Sequence, residues 1–421
     1  MLLIVVDTLR ADHLGVYGDA RGLSPRIDAL AAESTVFERA YSPASYTLPS
    51  VVGLLTGRFP QSLGVRANVS IFQGTVPTLA VLLWSHGWRT FAVVSNPVLE
   101  KRVGLHVGFE HYDDVRRNRD GGATTEAALA RIDAHVETHG GAPLFLWVHY
   151  QDPHGPYDPP PGYRERYLAE EQARPDGERR LPRDSTHVGL GAIPRNVWVD
   201  GHPEVSYYRA GYAGEVRFVD EQVGRLLDRL EERSLWGDTL VVFTSDHGEG
   251  MGEGDYWFAH GEHLTDPIVR VPLLIRVPRR RPEVRADVAS LVDVLPTLAS
   301  LLGLEAPPQV AGRDLLATGA SEAGSEVWLT TGRHATVERE GLVVEGYKYV
   351  VSGRGDERHE GVYRVGRSYA EEEPAGADAL GELRRALEAL RAREGVARER
   401  ALQLDPETRR QLDALGYTVE E

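Results

Sequence analysis

Short, continuous runs of β-branched and aliphatic residues recur along the chain, at Leu2 to Val6, Phe91 to Ser95, Leu144 to His149, Thr239 to Thr244 and Leu273 to Val277. Runs of this length and character predict fully buried parallel strands. Helical patterns fill the gaps between them. Ser24-Pro25-Arg26-Ile27-Asp28-Ala29-Leu30 puts a serine at the N-cap position and a proline at the first helical position, which predicts a helix start. Val216, Val219, Val223, Leu226, Leu227 and Leu230 recur at three- and four-residue spacing and predict a helix from about Tyr207 to Glu232. Alternating strand and helix predict an α/β fold with a mostly parallel central sheet and helices on both faces.

In such sheets ligands gather outside the carboxyl ends of the strands. Asp7, Asn96, His149 and Asp246 each fall within a residue or two of a predicted strand end, although they come from four distant parts of the sequence. A polar, Gly-, Pro- and Arg-rich stretch from about 174 to 205 has no periodicity and reads as an insertion, either a substrate-selecting lid or a surface excursion. Ala, Gly, Ser and Thr accumulate between about Ala317 and Glu326, which divides a domain over 1–320 from a small C-terminal α+β subdomain over 321–421. In the latter, Val327 to Thr330, Gly341 to Glu345, Tyr347 to Ser352 and Gly361 to Val365 are short strand-like pieces suited to an antiparallel sheet. Two helices follow: one with Leu380, Leu383, Leu387 and Leu390 on a core-facing side, the other running from Asp405-Pro406 to Gly416.

Composition narrows the chemistry. The 421 residues are 42% hydrophobic, enough for one large core and a smaller second unit. The net charge of −16 is spread over interspersed charges, which argues against a nucleic-acid or acidic-membrane partner. It also means that an anionic substrate needs local positive charge, from side chains or a metal. Cysteine is absent, which excludes disulfides, thiolate ligands and a cysteine nucleophile. No apolar run approaches the roughly 20 residues of a membrane helix, and no signal segment precedes the first strand. The expected location is therefore cytoplasmic, although the abrupt opening on a buried strand leaves room for an upstream leader. Oligomeric state is not legible.

Five segments carry candidate chemistry. Thr244-Ser245-Asp246-His247-Gly248-Glu249 follows a strand and offers adjacent carboxylate and imidazole donors, suited to a divalent cation or, alternatively, to a polar turn. Asp7 emerges from the first buried strand, where a carboxylate is expensive unless something positive holds it; Asp12 reads as a ligand or, the favoured alternative, as a cap for the next turn. Pro49 and Gly57 bracket a short helix that sets Thr47 near its N-terminus, where backbone N–H groups favour an anion and a hydroxyl can attack phosphorus or sulfur with metal assistance. Thr47 and Ser50 as plain caps are the other reading. His149 and His154 flank a Pro-rich turn, and His260 lies in a Gly-rich loop where it can protonate a leaving group; His263 is expected to be structural.

Together these residues resemble the sulfatase family of the alkaline phosphatase superfamily. The resemblance rests on Val-Val-Asp-Thr-Leu-Arg-Ala-Asp at the start, Leu54-Leu55-Thr56-Gly57, Asp152-Pro153-His154 before Pro156-Tyr157, the helix with Val219-Asp220, Ser-Asp-His-Gly-Glu, Arg270 to Ile275 and Leu291 to Thr297. It implies an alkaline-phosphatase-like fold and a hydrolytic site with Asp7, Thr47, Asp246 and His247, and it suggests substrate contacts for His154 and His260. Family sulfatases carry a Cys or Ser, oxidised to formylglycine, in a Cys/Ser-x-Pro-x-Arg motif; counting back from Leu54 puts Thr47 there, and threonine is not a substrate for that maturation. Val51 replaces the motif arginine, Ser95-Asn96-Pro97 stands about where a lysine segment is usual, and Thr8 replaces the second of the paired aspartates. These departures resemble a branch that uses unmodified threonine, including phosphoethanolamine and phosphoglycerol transferases, and they put sulfate as the preferred substrate in question.

The expected enzyme is thus a sulfuric or phosphoric ester hydrolase. One divalent cation (Ca, Mg, Mn or Zn) is held by Asp7, Thr47, Asp246 and His247. Thr47 is the nucleophile, His260 or His154 the proton donor, and His149, Asn96 and Arg10 contact a small anionic ester. Two rivals stand beside it: a phosphoesterase or phospho-group transferase with a second cation on Asp152, His154 and His260, and a catalytically silent binding protein of the same shape.

Overall fold

The computed structural model describes residues 1–115, 119–317, 325–332, 335–344, 346–353, 357–366, 377–414 and 416. Its first strand, β1 (Leu2–Val6), is buried along its whole length and pairs in parallel with β5 (Leu144–Tyr150) on one side and β6 (Val241–Ser245) on the other. Successive side chains of a strand face opposite ways, and β1 divides its five between two cores. Leu3 and Val5 pack with α2 (Thr47–Thr56), α3 (Leu79–Ser85) and α8 (Val294–Leu301), whereas Leu2, Ile4 and Val6 pack with α1 (Pro25–Ala31), α4 (Gly121–His139) and α6 (Val205–Glu232). Both faces of the sheet are covered, which is why the strand sequences read as unbroken apolar runs.

The other strands of this sheet are β2 (Thr35–Tyr41), β3 (Arg89–Val94), β4 (His111–Asp113), β9 (Arg270–Val271), β10 (Leu273–Arg276) and β11 (Glu283–Ser290). The order is β11-β2-β10-β6-β1-β5-β3-β4, with β9 on β2. One expectation is corrected here. The run at Leu273 to Val277 forms β10, but it pairs antiparallel with both β6 and β2, so its apolar continuity reports burial and not direction. β2 and β11 were not expected: Glu38 and Arg39 interrupt one, and charged residues alternate through the other as it runs along the sheet edge.

The C-terminal pieces form the expected antiparallel sheet, β12 (Val327–Thr330), β13 (Arg339–Val344), β14 (Tyr347–Ser352) and β15 (His359–Arg364), in that order. Glu345 and most of the predicted boundary lie outside the described residues. Leu383, Leu387 and Leu390 of α9 (Ala377–Glu394) pack on Trp328, Leu342 and Tyr349 of this sheet, and α10 (Pro406–Ala414) ends short of Gly416. Two elements near the active end, α5 (Tyr163–Gln172) and α7 (Asp266–Val269), and the two-stranded pair β7 (Gly250–Met251) and β8 (Trp257–Ala259), complete the description. Among the described residues, no helix is long and apolar enough to cross a membrane.

The start of α1 shows how tertiary structure replaces a local signal. Ser24 occupies the N-cap position but makes no capping bond; its hydroxyl instead accepts from the Gly15 amide and donates to Asp28. The first amides of α1, Arg26 and Ile27, donate to the buried carboxylate of Asp220 on α6, at 2.9 and 2.8 Å. Burial pushes the Asp220 carboxyl up to about 6 against the pull of those amides. Replacing Asp220 with Ala leaves both amides unpaired at a helix start, a loss of about 2 kcal/mol. Thermal unfolding of Asp220→Ala is therefore expected several degrees below wild type, with Asp220→Asn, which keeps an acceptor, losing less than half as much.

Candidate active site

The register of the central strands fixes the site. Val6 stands opposite both Tyr150 and Ser245, so the residues that leave β1 and β6 next, Asp7 and Asp246, emerge side by side. Val94 of β3 stands opposite His149 of β5, which brings Asn96 to the same end of the sheet. The four strand-end residues singled out in the sequence therefore converge. The backbone turns sharply there: Thr8 has φ of 53°, a left-handed conformation that a β-branched residue adopts only under constraint.

Asp7 and Asp246 are wholly buried. One oxygen of each carboxylate is committed. Asp7 Oδ2 accepts from Asn96 Nδ2 at 2.6 Å, and Asp246 Oδ1 accepts from the amides of His247 at 2.8 Å and Thr8 at 3.3 Å. The remaining oxygens, Asp7 Oδ1 and Asp246 Oδ2, have no hydrogen-bond partner. Burial, then the charge of Asp246, holds the Asp7 carboxyl well above the usual carboxylate range. For Asp246 burial acts the same way but is outweighed, first by His247, and its carboxyl is lowered to about 2.

His247 presents Nε2 to this pair, 3.6 Å from Asp7 Oδ1 and 3.9 Å from Asp246 Oδ2. Its Nδ1 lies 3.0 Å from the Gly248 carbonyl, and since a carbonyl only accepts, the proton belongs on Nδ1 and a lone pair on Nε2. Burial lowers the ring to about 4 and so keeps it neutral. Thr47 Oγ1 is 3.2 Å from that Nε2. The threonine occupies the first turn of α2 and caps nothing: Tyr46 is the N-cap residue, without a side-chain cap bond, and the Leu48 amide donates to Asn68 at 2.9 Å. Ser50 is no cap either; its hydroxyl donates to the Asp246 carbonyl at 2.6 Å and ties α2 to the strand end. His149 is buried beside Asp246, Nε2 to Oδ2 3.6 Å, and neither ring nitrogen makes a hydrogen bond. Ligand atoms of Asp7, His149 and Asp246 all lie within 4.8 Å of one another. Two buried carboxylates with one oxygen each unmatched, beside the imidazoles of His149 and His247, are a donor set that fits a divalent cation.

Farther out, His260 and His154 face each other with ring centroids 5.0 Å apart, and His260 stands 4.4 Å from His247. His260 Nδ1 is 3.1 Å from Glu249 Oε1, and Tyr157 donates to the other oxygen of that carboxyl at 3.1 Å. Burial pushes Glu249 up to about 7 and His154 and His260 down to about 4. Glu249 was visible in the sequence only as the last residue of Ser-Asp-His-Gly-Glu; its role in orienting His260 needed the fold. Beyond these groups opens a cleft of about 710 Å³, lined by Tyr46, Glu249 and His260 together with His187, Arg195 and Asn196. The stretch predicted as an insertion thus forms part of the cleft wall.

Other expectations resolve differently. Arg10 is buried and turned away from the strand ends, paired with Asp12 at 2.7 Å and Glu253 at 2.8 Å and donating to the Glu249 carbonyl at 3.1 Å. Asp12 is accordingly an ion-pair partner and not a cap. Asn96 supports Asp7 and caps the turn at Val98. Asp152, a ligand in the two-cation alternative, lies at the start of α4, where a Cβ on Gly121 would meet its Oδ2 at 3.4 Å. Among the described residues the metal-competent group is Asp7, His149 and Asp246, so no second centre forms around Asp152. His263 packs on Tyr256, with centroids 4.6 Å apart, as a structural residue does.

The chain has recognisable relatives. The Sulfatase family model matches residues 1–304, and the chain belongs to the sulfatase family. Human iduronate 2-sulfatase is 28% identical over 395 residues, covering 73% of this chain and 70% of that one. Among solved structures, a protein in complex with its substrate D-glucosamine-2-N,6-O-disulfate superposes with a TM-score of 0.76 at 18% identity, covering 94% of this chain and 97% of that one. The phosphonate monoester hydrolase from Silicibacter pomeroyi gives 0.71 at 19%, covering 96% and 99%. The enzyme is a sulfuric or phosphoric ester hydrolase with an alkaline-phosphatase-like fold, from a family that is generally metal-dependent.

If the unmatched oxygens are the site's dominant stress, relieving them should show in stability. In chelator, Asp7→Asn is expected to unfold above wild type, because it removes a buried like charge. With a binding cation added, wild type should gain stability by mass action and the variant should gain little. Thermal unfolding of both proteins with and without metal checks the reversal.

Proposed function

We propose that this enzyme hydrolyses singly charged esters, such as sulfate esters, phosphodiesters or phosphonate monoesters, through unmodified Thr47. The observation that carries the reading is the seat of Thr47: a buried hydroxyl in the first turn of α2, 3.2 Å from a ring nitrogen of His247 and level with Asp7 and Asp246. Asp7, Asp246 and His247, with Thr47 itself, would hold one divalent cation, which supplies Lewis acidity to lower the pKa of the threonine hydroxyl and offset charge on the ester.

Thr47 Oγ1 attacks the sulfur or phosphorus, its proton passes to solvent water, and the bond to the leaving oxygen breaks, leaving the group on Thr47. Water then attacks the same atom and restores the threonine. His260, oriented by Glu249, and His154 face the cleft where the leaving oxygen departs and serve to deliver its proton. The free protein keeps both rings neutral, so an imidazole must take up a proton from solvent when the anion binds and raises its pKa. The preference for a single negative charge follows from bookkeeping of the centre: two carboxylates already match the charge of one divalent cation, and Val51 stands where the family motif has arginine.

Matched aryl sulfate, phosphate monoester, phosphodiester and phosphonate substrates, assayed with added metals, test the nucleophile. Thr47→Ala should lose at least about 10³-fold in kcat on every substrate turned over, and Thr47→Ser should keep measurable activity. Unchanged turnover in Thr47→Ala overturns the reading. The proton donor has its own signature. His260→Ala should slow esters of poorly acidic alcohols by about 10²- to 10⁴-fold, while 4-nitrophenyl esters, whose leaving oxygen needs no proton, slow far less.

A further inference from the structure

His149 has no task in that mechanism, yet it is the most anomalous residue near the centre. It is fully buried, it lies beside Asp246, and neither of its ring nitrogens has a hydrogen-bond partner. An imidazole carries a donor and an acceptor, and burying both unmatched costs free energy. Its position is not accidental slack, because His149 sits within β5 in register with Val5 on one side and Val94 on the other, locked by two parallel ladders. We infer that His149 is itself a ligand of the cation, and that it turns the site into one that favours a nitrogen-binding transition ion such as zinc or cobalt over calcium or magnesium. This rests on the proposed metal-dependent reading and specifies its cofactor.

The donor count carries the argument. Asp7 Oδ2 accepts from Asn96, and Asp246 Oδ1 from two backbone amides, so each carboxylate has one oxygen wholly uncommitted. Thr8 stands where a further aspartate is usual in the family. Calcium takes six to eight oxygens and magnesium a near-ideal octahedron of them. Two carboxylate oxygens and a threonine hydroxyl would leave most of either shell to water and substrate, and neither ion would draw on the two imidazoles beside it. The same space offers imidazole nitrogen twice, from His149 and from His247, and mixed imidazole and carboxylate sets suit the transition ions. His149, Asp7 and Asp246 already bring their ligand atoms within 4.8 Å of one another, while His247 Nε2 approaches the same two carboxylate oxygens from the side of Thr47.

The test uses the full chain and reads the metal directly. X-ray absorption at the zinc edge of the zinc-loaded wild type should show two imidazoles, and competition titration should give zinc and cobalt affinities at least 10³-fold above calcium and magnesium. His149→Asn should lose at least about 100-fold in zinc affinity, more than a supporting residue alone would cost, and should change the visible spectrum of the cobalt form. One imidazole in the wild type, calcium bound as tightly as zinc, or an unchanged cobalt spectrum in a folded His149→Asn overturns the inference; the wild-type measurements stand even if that variant does not fold. A wild type that binds no divalent cation would overturn the metal-dependent reading as well, whereas a cation held with one imidazole removes only His149.

Discussion

Two carboxylates that cannot both be comfortable organise this active site. Asp7 and Asp246 leave adjacent parallel strands at the same level, out of reach of solvent, where like charges repel through a medium far less screening than water. The protein does not resolve the conflict by pairing them with arginine or lysine. It gives each one neutral support, Asn96 for Asp7 and backbone amides for Asp246, and leaves one oxygen of each facing the other and the imidazoles. Neighbouring features take their sense from that arrangement. The left-handed turn at Thr8 delivers its amide to Asp246, the tautomer of His247 is set by Gly248, and Ser50 anchors α2 so that Thr47 meets the ring.

Such a centre needs a rigid frame, since a buried charge will draw in water or move apart wherever packing allows. Parallel strands β6, β1, β5 and β3 supply it, each ending in a residue of the site and each sealed by helices on both faces. The antiparallel insertion of β10 between β6 and β2 extends the shield on the far side of β6 without adding another strand end to the site. Glu249, His260 and His154 come from loops above the strands, and the wall of the cleft from the segment around His187 and Arg195. Chemistry sits on strands, and the surfaces that meet the rest of a substrate sit on loops.

What could be read from the sequence follows the same division. The strand ends were legible because burial writes unbroken apolar runs, and a carboxylate at the end of such a run is conspicuous. Strand direction was not, because β10 is as apolar as its parallel neighbours. β2 was hidden by Glu38 and Arg39, and β11 by alternation with charge. Side-chain assignments failed where a local reading was offered for a long-range bond. Ser24 had the right place for a cap that Asp220 supplies from 196 positions away in a different helix, Asp12 answers Arg10, and Asn96 faces Asp7 instead of opening to the cleft. Histidines were the least legible of all. His149, His154, His247 and His260 look alike in sequence, and only their surroundings separate a ring set by a carbonyl from one set by a carboxylate or by nothing.

The charge problem posed by the sequence has a physical resolution in this arrangement. The nearby arginines are matched inside the protein, Arg10 by Asp12 and Glu253 and Arg195 by Asp413, so neither offers an unopposed positive charge to an incoming anion. His154, His247 and His260 are held neutral by burial. Attraction for an anion must then be generated at the centre itself, and with two ionised aspartates a divalent ion brings that centre only to neutrality. A neutral centre inside an acidic protein holds a singly charged ester by dipoles and coordination but has little with which to meet a second charge. On the proposed mechanism, the loss of fixed cations that sets this chain apart from the family pattern is therefore a device of selection: it weakens the hold on any dianion more than on a monoanion, and leaves the burden of recognition to the leaving group in the cleft.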